Sequence, residues 1–384
     1  MLREKRRAGY IAIAAVCALS ALLIGQVGQA GPVNAAQSSP VSAKFLKYAK
    51  SAPLAGAGIL VENLATKEIL FQSDSSKLRA PASVLKLISM TTALTAFDAT
   101  TRFKTSISST DQPNKFLLIG EGDPWLTSSA FEANKYHRAF LPALINEVKA
   151  ANPGLTSIEL DYANVYTLDI RELEKFFGKT LKITAVKLPS VGAATAEAKD
   201  QISSISSPPL SEIIKFTLLW SDNVLADRLA HLAAAKLGFG TSATAVQDAF
   251  IDVLKQVGVP SDGLAVQDGN GLSYKTRVSA QMINDLLIAI RGNPKFQPIY
   301  DGLPLAGKTG TLKSRFVSDA PSAVGLIKAK TGWINSTVSL AGFLKRGQSE
   351  YVFTVIDSGL TDRESIRAAA RVAIDRMLAT LAHR

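Results

Sequence analysis

The chain has 384 residues, of which 47% are hydrophobic and 20% are charged, and these proportions exclude a fibrous or disordered protein. The length predicts about two domains. The formal net charge is +11, but the basic residues are scattered and form no run interleaved with aromatic side chains, so we predict no nucleic-acid partner.

The N-terminal segment, residues 1–35, has the pattern of a secretory signal peptide. Basic residues within the first seven positions precede an uncharged apolar run at residues 10–25, and residues 33–35 resemble a cleavage site. The apolar run approaches the length of a membrane span, so an uncleaved anchor stays open. Either outcome places the body of the protein outside the cytoplasm. Because the sole cysteine, Cys17, lies in this segment, the body contains no disulfide and no cysteine nucleophile.

A spacer, a hairpin and a helix are the next predicted elements. Small residues at 36–44 predict the spacer. Two apolar runs around a polar turn predict a β-hairpin over residues 58–71. Pro81 then opens a helix that extends to residue 97. At residues 101–205, short strand-like runs alternate with polar loops, which predicts a smaller inserted domain.

Helices and then strands dominate the remainder of the chain. Helical patterns lie at residues 210–237, 245–257, 279–290 and 363–381, and strand-like runs lie at residues 323–334, 338–344 and 351–357. A sheet begun by the N-terminal hairpin and completed by the C-terminal strands predicts an α/β sandwich. We therefore predict a discontinuous catalytic domain, residues 45–100 and 206–384, interrupted by the insertion.

Three short motifs occur in order along the body. They are S-x-x-K at Ser83 to Lys86, S-D-N at Ser221 to Asn223, and K-T-G at Lys330 to Gly332. Each motif is weak by itself, but the ordered set is typical of class A β-lactamases and penicillin-binding proteins. The sequence therefore predicts a serine enzyme that forms an acyl intermediate.

The spacing of the first motif suits nucleophilic catalysis. Residues three apart on a helix share a face, so Lys86 can reach the Ser83 hydroxyl and act as its base. A lysine serves as a base only if burial or a neighbouring cation lowers its pKa, and Lys330 is the candidate neighbour. The start of the helix also presents the Ser83 N–H as an oxyanion donor.

Two matches near residue 308 compete with this interpretation. A second K-T-G occurs at residues 308–310, but it lacks the strand-like context of Lys330, so we favour Lys330. Residues 302–309 match the phosphate-binding pattern G-x-x-x-x-G-K-T, yet Gly310 interrupts the helix that should follow, and we treat the match as a coincidence. No His/Cys cluster with metal-ligand spacing occurs, and we predict no metal and no cofactor.

With these residues placed, the chain resembles the D-alanyl-D-alanine carboxypeptidase/endopeptidase family, the class C type-4 low-molecular-mass penicillin-binding proteins. The likeness extends to G-x-G-D-P at residues 120–124, S-P-P-L at 207–210, D-G-N-G-L-S at 268–273 and S-L-A-G at 339–342. It implies a β-lactamase/transpeptidase-like fold, an antiparallel sheet flanked by helices with an inserted smaller domain. It also implies that the substrates are peptidoglycan stem peptides and that β-lactams acylate the enzyme.

The resemblance also implies a role for each motif residue. Ser83 attacks the penultimate D-Ala carbonyl and Lys86 takes its proton. Ser221 relays a proton to the leaving amine. The residues implied in substrate binding are Asn223 for the acyl-side amide, Lys330 and Thr331 for the terminal carboxylate, and Gly332 and Trp333 beside them.

The chain departs from the family pattern in two ways. Ser83 and Ser221 are 138 positions apart, which is short for two inserted domains. Trp333 replaces the Ser or Thr that follows K-T-G, so its N–H is kept for the oxyanion while a hydroxyl is lost. We expect its indole to form an apolar wall beside the leaving D-Ala.

Three alternatives stay open. A β-lactamase of class A deacylates with a glutamate between S-D-N and K-T-G, but no glutamate occurs from Asn223 to Lys330. A non-catalytic wall-binding protein on the same fold is the second alternative, and the intact motifs argue against it. The third is D,D-endopeptidase activity beside, or instead of, carboxypeptidase activity.

Overall fold

Two five-stranded sheets, one two-stranded sheet and the helices around them make up residues 41–382, the part of the chain that the computed structural model describes. The strands there are β1 (Gly58–Asn63), β2 (Ile69–Ser73), β3 (Lys104–Ser109), β4 (Lys115–Gly120), β5 (Leu126–Thr127), β6 (Ala139–Phe140), β7 (Ser157–Ala163), β8 (Lys182–Lys187), β9 (Gln201–Ser206), β10 (Ile327–Ile334), β11 (Thr337–Arg346) and β12 (Ser349–Ser358). The predicted signal peptide or anchor lies outside the described residues.

The α-helices and the short 3-10 turns between them complete the described elements. The helices are α1 (Ala43–Ala49), α2 (Lys86–Ala96), α3 (Ala130–Tyr136), α4 (Leu141–Ala151), α5 (Thr167–Phe177), α6 (Val191–Glu197), α7 (Leu210–Trp220), α8 (Asn223–Lys236), α9 (Ala245–Gln256), α10 (Ala280–Gly292), α11 (Gln297–Gly302) and α12 (Glu364–Ala379). The 3-10 turns that bear on the site are Ala82–Leu85 and Gly310–Leu312. No helix between residues 41 and 382 has the length and apolar character needed to cross a membrane.

The first sheet joins the two ends of the body. Its order is β10-β11-β12-β1-β2, and every neighbouring pair is antiparallel. Apolar side chains of α1 and α12 cover one face and those of α2 and α10 cover the other. The predicted antiparallel sandwich is therefore confirmed, although β10 begins at Ile327 because Pro321–Ala323 forms a 3-10 turn before it.

The second sheet consists of strands between residues 104 and 206. Its order is β8-β7-β4-β3-β9, with parallel pairs on the β8 side and antiparallel pairs on the β9 side. Its apolar residues, such as Ile107 and Leu118, join the same hydrophobic cluster as Leu87 of α2. The boundaries of the inserted domain, 101–205, and of the catalytic domain around it stay a prediction.

The helical pattern at residues 210–237 forms two helices instead of one. Ser221 adopts a left-handed backbone (φ 59°) that ends α7. The Asp222 carboxylate then accepts a hydrogen bond from the Leu225 N–H at 2.8 Å and caps the N-terminus of α8. The S-D-N motif thus lies at a corner between two helices, from which Asn223 contacts Lys86 of α2 and Ser221 contacts Lys330 of β10.

Candidate active site

The turn that carries Ser83 is fixed by close packing. Ala82 has a left-handed backbone (φ 51°), a conformation that residues with a Cβ rarely adopt. The Ser339 hydroxyl donates a hydrogen bond to the Pro81 carbonyl at 2.7 Å. Gly332 leaves no room for a Cβ beside Pro81 and Ser339. Surrounding structure therefore holds a strained backbone immediately before the predicted nucleophile.

Lys86 lies at the centre of the buried polar contacts. Its amine is within hydrogen-bonding distance of the Ser83 hydroxyl (2.7 Å), the Asn223 side-chain oxygen (2.8 Å) and the Asn270 carbonyl (2.7 Å). The side chain is fully buried. Two of the predicted motifs therefore meet at one lysine, together with a backbone carbonyl that the sequence did not identify.

Burial lowers the pKa of Lys86 to about 7, while the carboxylates of Asp222, Asp268 and Asp227 oppose the shift. A charged amine loses more hydration energy than a neutral one when it is buried, so burial favours the neutral form. Near neutral pH, a substantial fraction of Lys86 is therefore an amine able to accept the Ser83 proton. Of the two causes expected from the sequence, burial is the one that lowers this pKa, and the charge of Lys330 is not among its causes.

The loop at residues 268–273 positions the Asn270 carbonyl. The Asp268 carboxylate accepts hydrogen bonds from the Gly271 and Ser273 N–H groups, both at 2.7 Å. Gly271 has φ 83°, and a Cβ there would collide with the carbonyl oxygen of Ala82. This D-G-N-G-L-S segment matches the family pattern. Its physical role is to bring a carbonyl oxygen to the lysine and to pack beneath the Ser83 turn.

The half-buried Ser221 and the fully buried Lys330 form a second pair. The Lys330 amine donates to the Ser221 hydroxyl and to the Thr331 carbonyl, both at 2.8 Å. Burial and the positive charge of Lys86 lower the pKa of Lys330. The second K-T-G is placed differently, because Lys308 is exposed in a turn. The structure thus brings Lys330, and not Lys308, to Ser221.

Strand β10 is an edge strand whose outer edge is only partly covered. The Ile327 carbonyl and the Ala329 N–H pair outward with residues 304–306. Backbone groups in an antiparallel strand point to the same side at every second residue. Thr331 and Trp333 therefore also direct their N–H groups outward, past the covered part. The Trp333 N–H therefore points away from β11, towards the uncovered part of this edge.

These residues surround a cleft of about 350 Å³. Its walls combine predicted residues with others that no motif marked. They are Ser83, Ser221, Asn223, Leu272, Thr311, Arg315, Thr331, Gly332, Trp333 and Arg371. Thr311 follows the second K-T-G directly, so that motif did mark a segment near the site. Arg371 lies in α12 and no local pattern distinguishes it from other helix arginines.

The cleft contains hydroxyl, amine and amide groups rather than metal ligands. Among residues 41–382, no group of three or more His, Cys, Asp or Glu side chains is arranged to hold a metal ion. A serine hydroxyl beside a lysine with a lowered pKa, and a serine–lysine pair opposite it, can perform nucleophilic attack and proton transfer.

Comparison with known proteins places this geometry in context. The sequence model described as the D-Ala-D-Ala carboxypeptidase 3 (S13) family matches residues 42–168 and 165–381. The chain is 28% identical over 342 residues to Carboxypeptidase DacB of Mycolicibacterium smegmatis, covering 76% of this chain and 74% of that protein. It is 31% identical over 163 residues to the D-alanyl-D-alanine carboxypeptidase of Actinomadura sp. strain R39, covering 40% of this chain and 29% of that protein.

Solved structures share the fold. Penicillin binding protein 4 (dacB) from Haemophilus influenzae superposes with a TM-score of 0.66 at 17% identity, covering 86% of this chain and 98% of the other. The predatory endopeptidase Bd0816 from Bdellovibrio bacteriovorus superposes with a TM-score of 0.62 at 19% identity, covering 85% and 92% of the two chains.

Proposed function

Because the chain belongs to the D-Ala-D-Ala carboxypeptidase 3 (S13) family, we propose that it removes the terminal D-Ala of peptidoglycan stem peptides through an acyl-enzyme on Ser83. The observation that carries this proposal is the meeting of all three motifs in one cleft. Lys86 contacts both Ser83 and Asn223, and Lys330 contacts Ser221. A protein with the same fold but a different function would not need these contacts.

Acylation follows from the contacts. The neutral Lys86 amine accepts the Ser83 proton as the hydroxyl oxygen attacks the penultimate D-Ala carbonyl carbon. The oxyanion accepts hydrogen bonds from the Ser83 and Trp333 N–H groups. As the C–N bond breaks, the proton that Lys86 accepted passes through Ser221, which Lys330 holds, to the leaving D-Ala amine, so Lys86 is neutral again. The products are free D-Ala and an ester on Ser83.

Deacylation completes the hydrolysis. Water attacks the ester carbonyl and gives up a proton to Lys86, and the Ser83 oxygen leaves with a proton from the same amine. A β-lactam would acylate Ser83 by the same attack, with opening of its ring. Because no glutamate lies between Asn223 and Lys330, the chain lacks the class A group that accelerates deacylation. We therefore favour a penicillin-sensitive peptidase over a β-lactamase.

Stem peptides lie outside the cytoplasm, so this function requires an exported protein. The pattern at residues 1–35 supports export through a signal peptide. Membrane contact would then occur only if that segment is retained as an anchor. D,D-endopeptidase activity on cross-linked peptides is the second candidate, since the fold is shared with a protein described as an endopeptidase.

The proposal is tested with Ser83→Ala. Labelled penicillin should acylate the wild-type protein once per chain, and a peptide ending in D-Ala-D-Ala should release D-Ala. Both activities should disappear in Ser83→Ala, whereas the exposed-site control Ser318→Ala should keep them. Far-ultraviolet circular dichroism verifies that both variants fold. Penicillin labelling or D-Ala release that persists in folded Ser83→Ala would refute the assignment of the nucleophile.

A further inference from the structure

Trp333 leaves the cleft without a hydroxyl beside K-T-G, and other residues occupy the space around it. We propose that Thr311 and Arg371 form the binding site for the carboxylate on the leaving side of the scissile bond. This inference rests on the proposed function of the cleft. It assigns the recognition of a substrate anion to two residues outside all three motifs.

Thr311 supplies the hydroxyl that position 333 lacks. Thr331 and Trp333 are two residues apart in β10 and therefore share a face of the sheet. The Thr331 hydroxyl donates to the Thr311 hydroxyl at 2.9 Å. A pair of hydroxyls has two protons and uses one of them between themselves, so one proton remains for an acceptor in the cleft.

The segment that carries Thr311 is held in place by backbone packing. Gly310 has φ 51°, and a Cβ there would collide with the carbonyl oxygen of Leu219 in α7. The short 3-10 turn Gly310–Leu312 can therefore lie directly against the helix that ends at Ser221. Thr311 is therefore positioned by α7, the helix that also positions Ser221, the residue proposed to relay the proton.

Arg371 supplies positive charge at the same end of the cleft. The planar groups of Arg367 and Arg371, one turn apart on α12, lie 5.4 Å and 5.6 Å from the centre of the Trp333 ring. Arg367 is engaged elsewhere, since it donates to the Asn335 carbonyl and pairs with Asp362. Only Arg371 of the two lines the cleft.

The charges around Arg371 leave it as the cation available to a ligand. Arg315 also lines the cleft, but its guanidinium makes two-point contact with the Asp375 carboxylate at 2.6–3.1 Å. Lys330 is fully buried and its amine is directed at Ser221. The Asp375 carboxylate interacts with the charge of Arg371 but is paired with Arg315, and within residues 41–382 no carboxylate lies at ion-pair distance from Arg371. An anion in the cleft would therefore find its charge partner in Arg371.

A carboxylate fits this arrangement better than a neutral group. A guanidinium presents two parallel N–H groups to a carboxylate, and the Thr311–Thr331 pair adds a third donor. The half-exposed Trp333 ring lies beside them as an apolar surface for the methyl group of D-Ala. A C-terminal amide would lose the charge interaction and retain only the apolar contact.

The test compares two peptides, an N-acylated tripeptide that ends in D-Ala-D-Ala and the same tripeptide with a C-terminal carboxamide. The proposal predicts that wild type prefers the acid. Arg371→Ala should lower kcat/KM for the acid by about ten- to a hundredfold, the size of a lost charged hydrogen bond, and change kcat/KM for the amide little. Arg367→Ala removes the other arginine beside the Trp333 ring. It should leave the ratio of kcat/KM for the acid to kcat/KM for the amide unchanged.

Thr311 is tested with Thr311→Val, which keeps the shape and removes the hydroxyl. It should lower the acid-to-amide ratio, and Thr311→Ser should restore it. An equal loss for both peptides in Arg371→Ala, or an unchanged ratio, would overturn the inference while leaving the proposed function intact. Failure of the wild type to cleave either peptide would overturn the proposed function and this inference with it.

Discussion

The lowered pKa of Lys86 predicts how activity depends on pH. An ordinary lysine, with a pKa near 10.5, would be neutral in only about three chains in ten thousand at pH 7. With a pKa of about 7, about half of the chains carry the neutral base at pH 7 and about a tenth at pH 6. Because the neutral amine is the form that accepts the Ser83 proton, kcat/KM should rise with pH and level off above about pH 8.

Asp222→Asn tests this pH dependence. Asp222 is the acid that most opposes the lowering of the Lys86 pKa. Asparagine also caps helices well, so α8 should keep its N-cap. Loss of the negative charge should lower the pKa of Lys86 further and move the rising limb of the profile to lower pH.

We would measure kcat/KM for D-Ala release between pH 5 and 9 and verify folding by circular dichroism at both ends of this range. The control is Asp252→Asn, at a half-buried position on α9 where the carboxylate accepts a hydrogen bond from Gln256, and its profile should match the wild type. A wild-type profile that stays flat down to pH 5, or an Asp222→Asn limb that moves to higher pH, would refute Lys86 as the base.

Three further changes test the site and its support. Lys330→Ala should lower the rate of penicillin acylation about a hundredfold or more because Ser221, the proton relay, loses its partner. Lys308→Ala should change this rate less than about twofold. Reversed effects would contradict the choice of residues 330–332 as the catalytic K-T-G. Gly271→Ala should reduce acylation strongly because its Cβ would displace the turn before the nucleophile. The control is Gly238→Ala, which also has a positive φ but has open space around it. It should cost only about 1 kcal/mol of folding free energy and leave acylation unchanged. Burial raises the pKa of Asp123 to about 7, so the folded state binds this proton more tightly than the unfolded state and loses stability as pH rises from 4 to 7. Asp123→Asn should therefore gain stability over wild type between those pH values, by at most about 4 kcal/mol. Denaturation profiles that stay parallel for the two proteins across this pH range would contradict this.

Much of the site could be predicted because its chemistry resides in local patterns. Ser83 and Lys86 are three residues apart, and their contact needs only one turn of helix. The motif order identified the family, which the comparisons confirm. The antiparallel sheet followed from strand-like runs at both ends of the body. The roles assigned to individual motif residues stay predictions until variants are measured.

The remaining features depend on contacts between distant segments. Asn270 acts through its carbonyl, which every residue possesses, so its side chain gives no signal. Arg371 reaches the cleft because α12 crosses the sheet beside Trp333, and a sequence pattern does not show which helix arginines do so. The apolar pattern at residues 210–237 continues across Ser221, and only the left-handed backbone there divides it into two helices.

The partly covered edge of β10 limits how the protein can pair with other chains. A free strand edge is a template for any extended peptide, and long free edges promote aggregation. Here residues 304–306 occupy the edge as far as Ala329, and the Lys330 amine already holds the Thr331 carbonyl. The uncovered part of the β10 edge is about as long as one dipeptide. The uncovered part thus suits the short end of a stem peptide, and residues 304–306 shorten the edge that another copy of the chain could pair with.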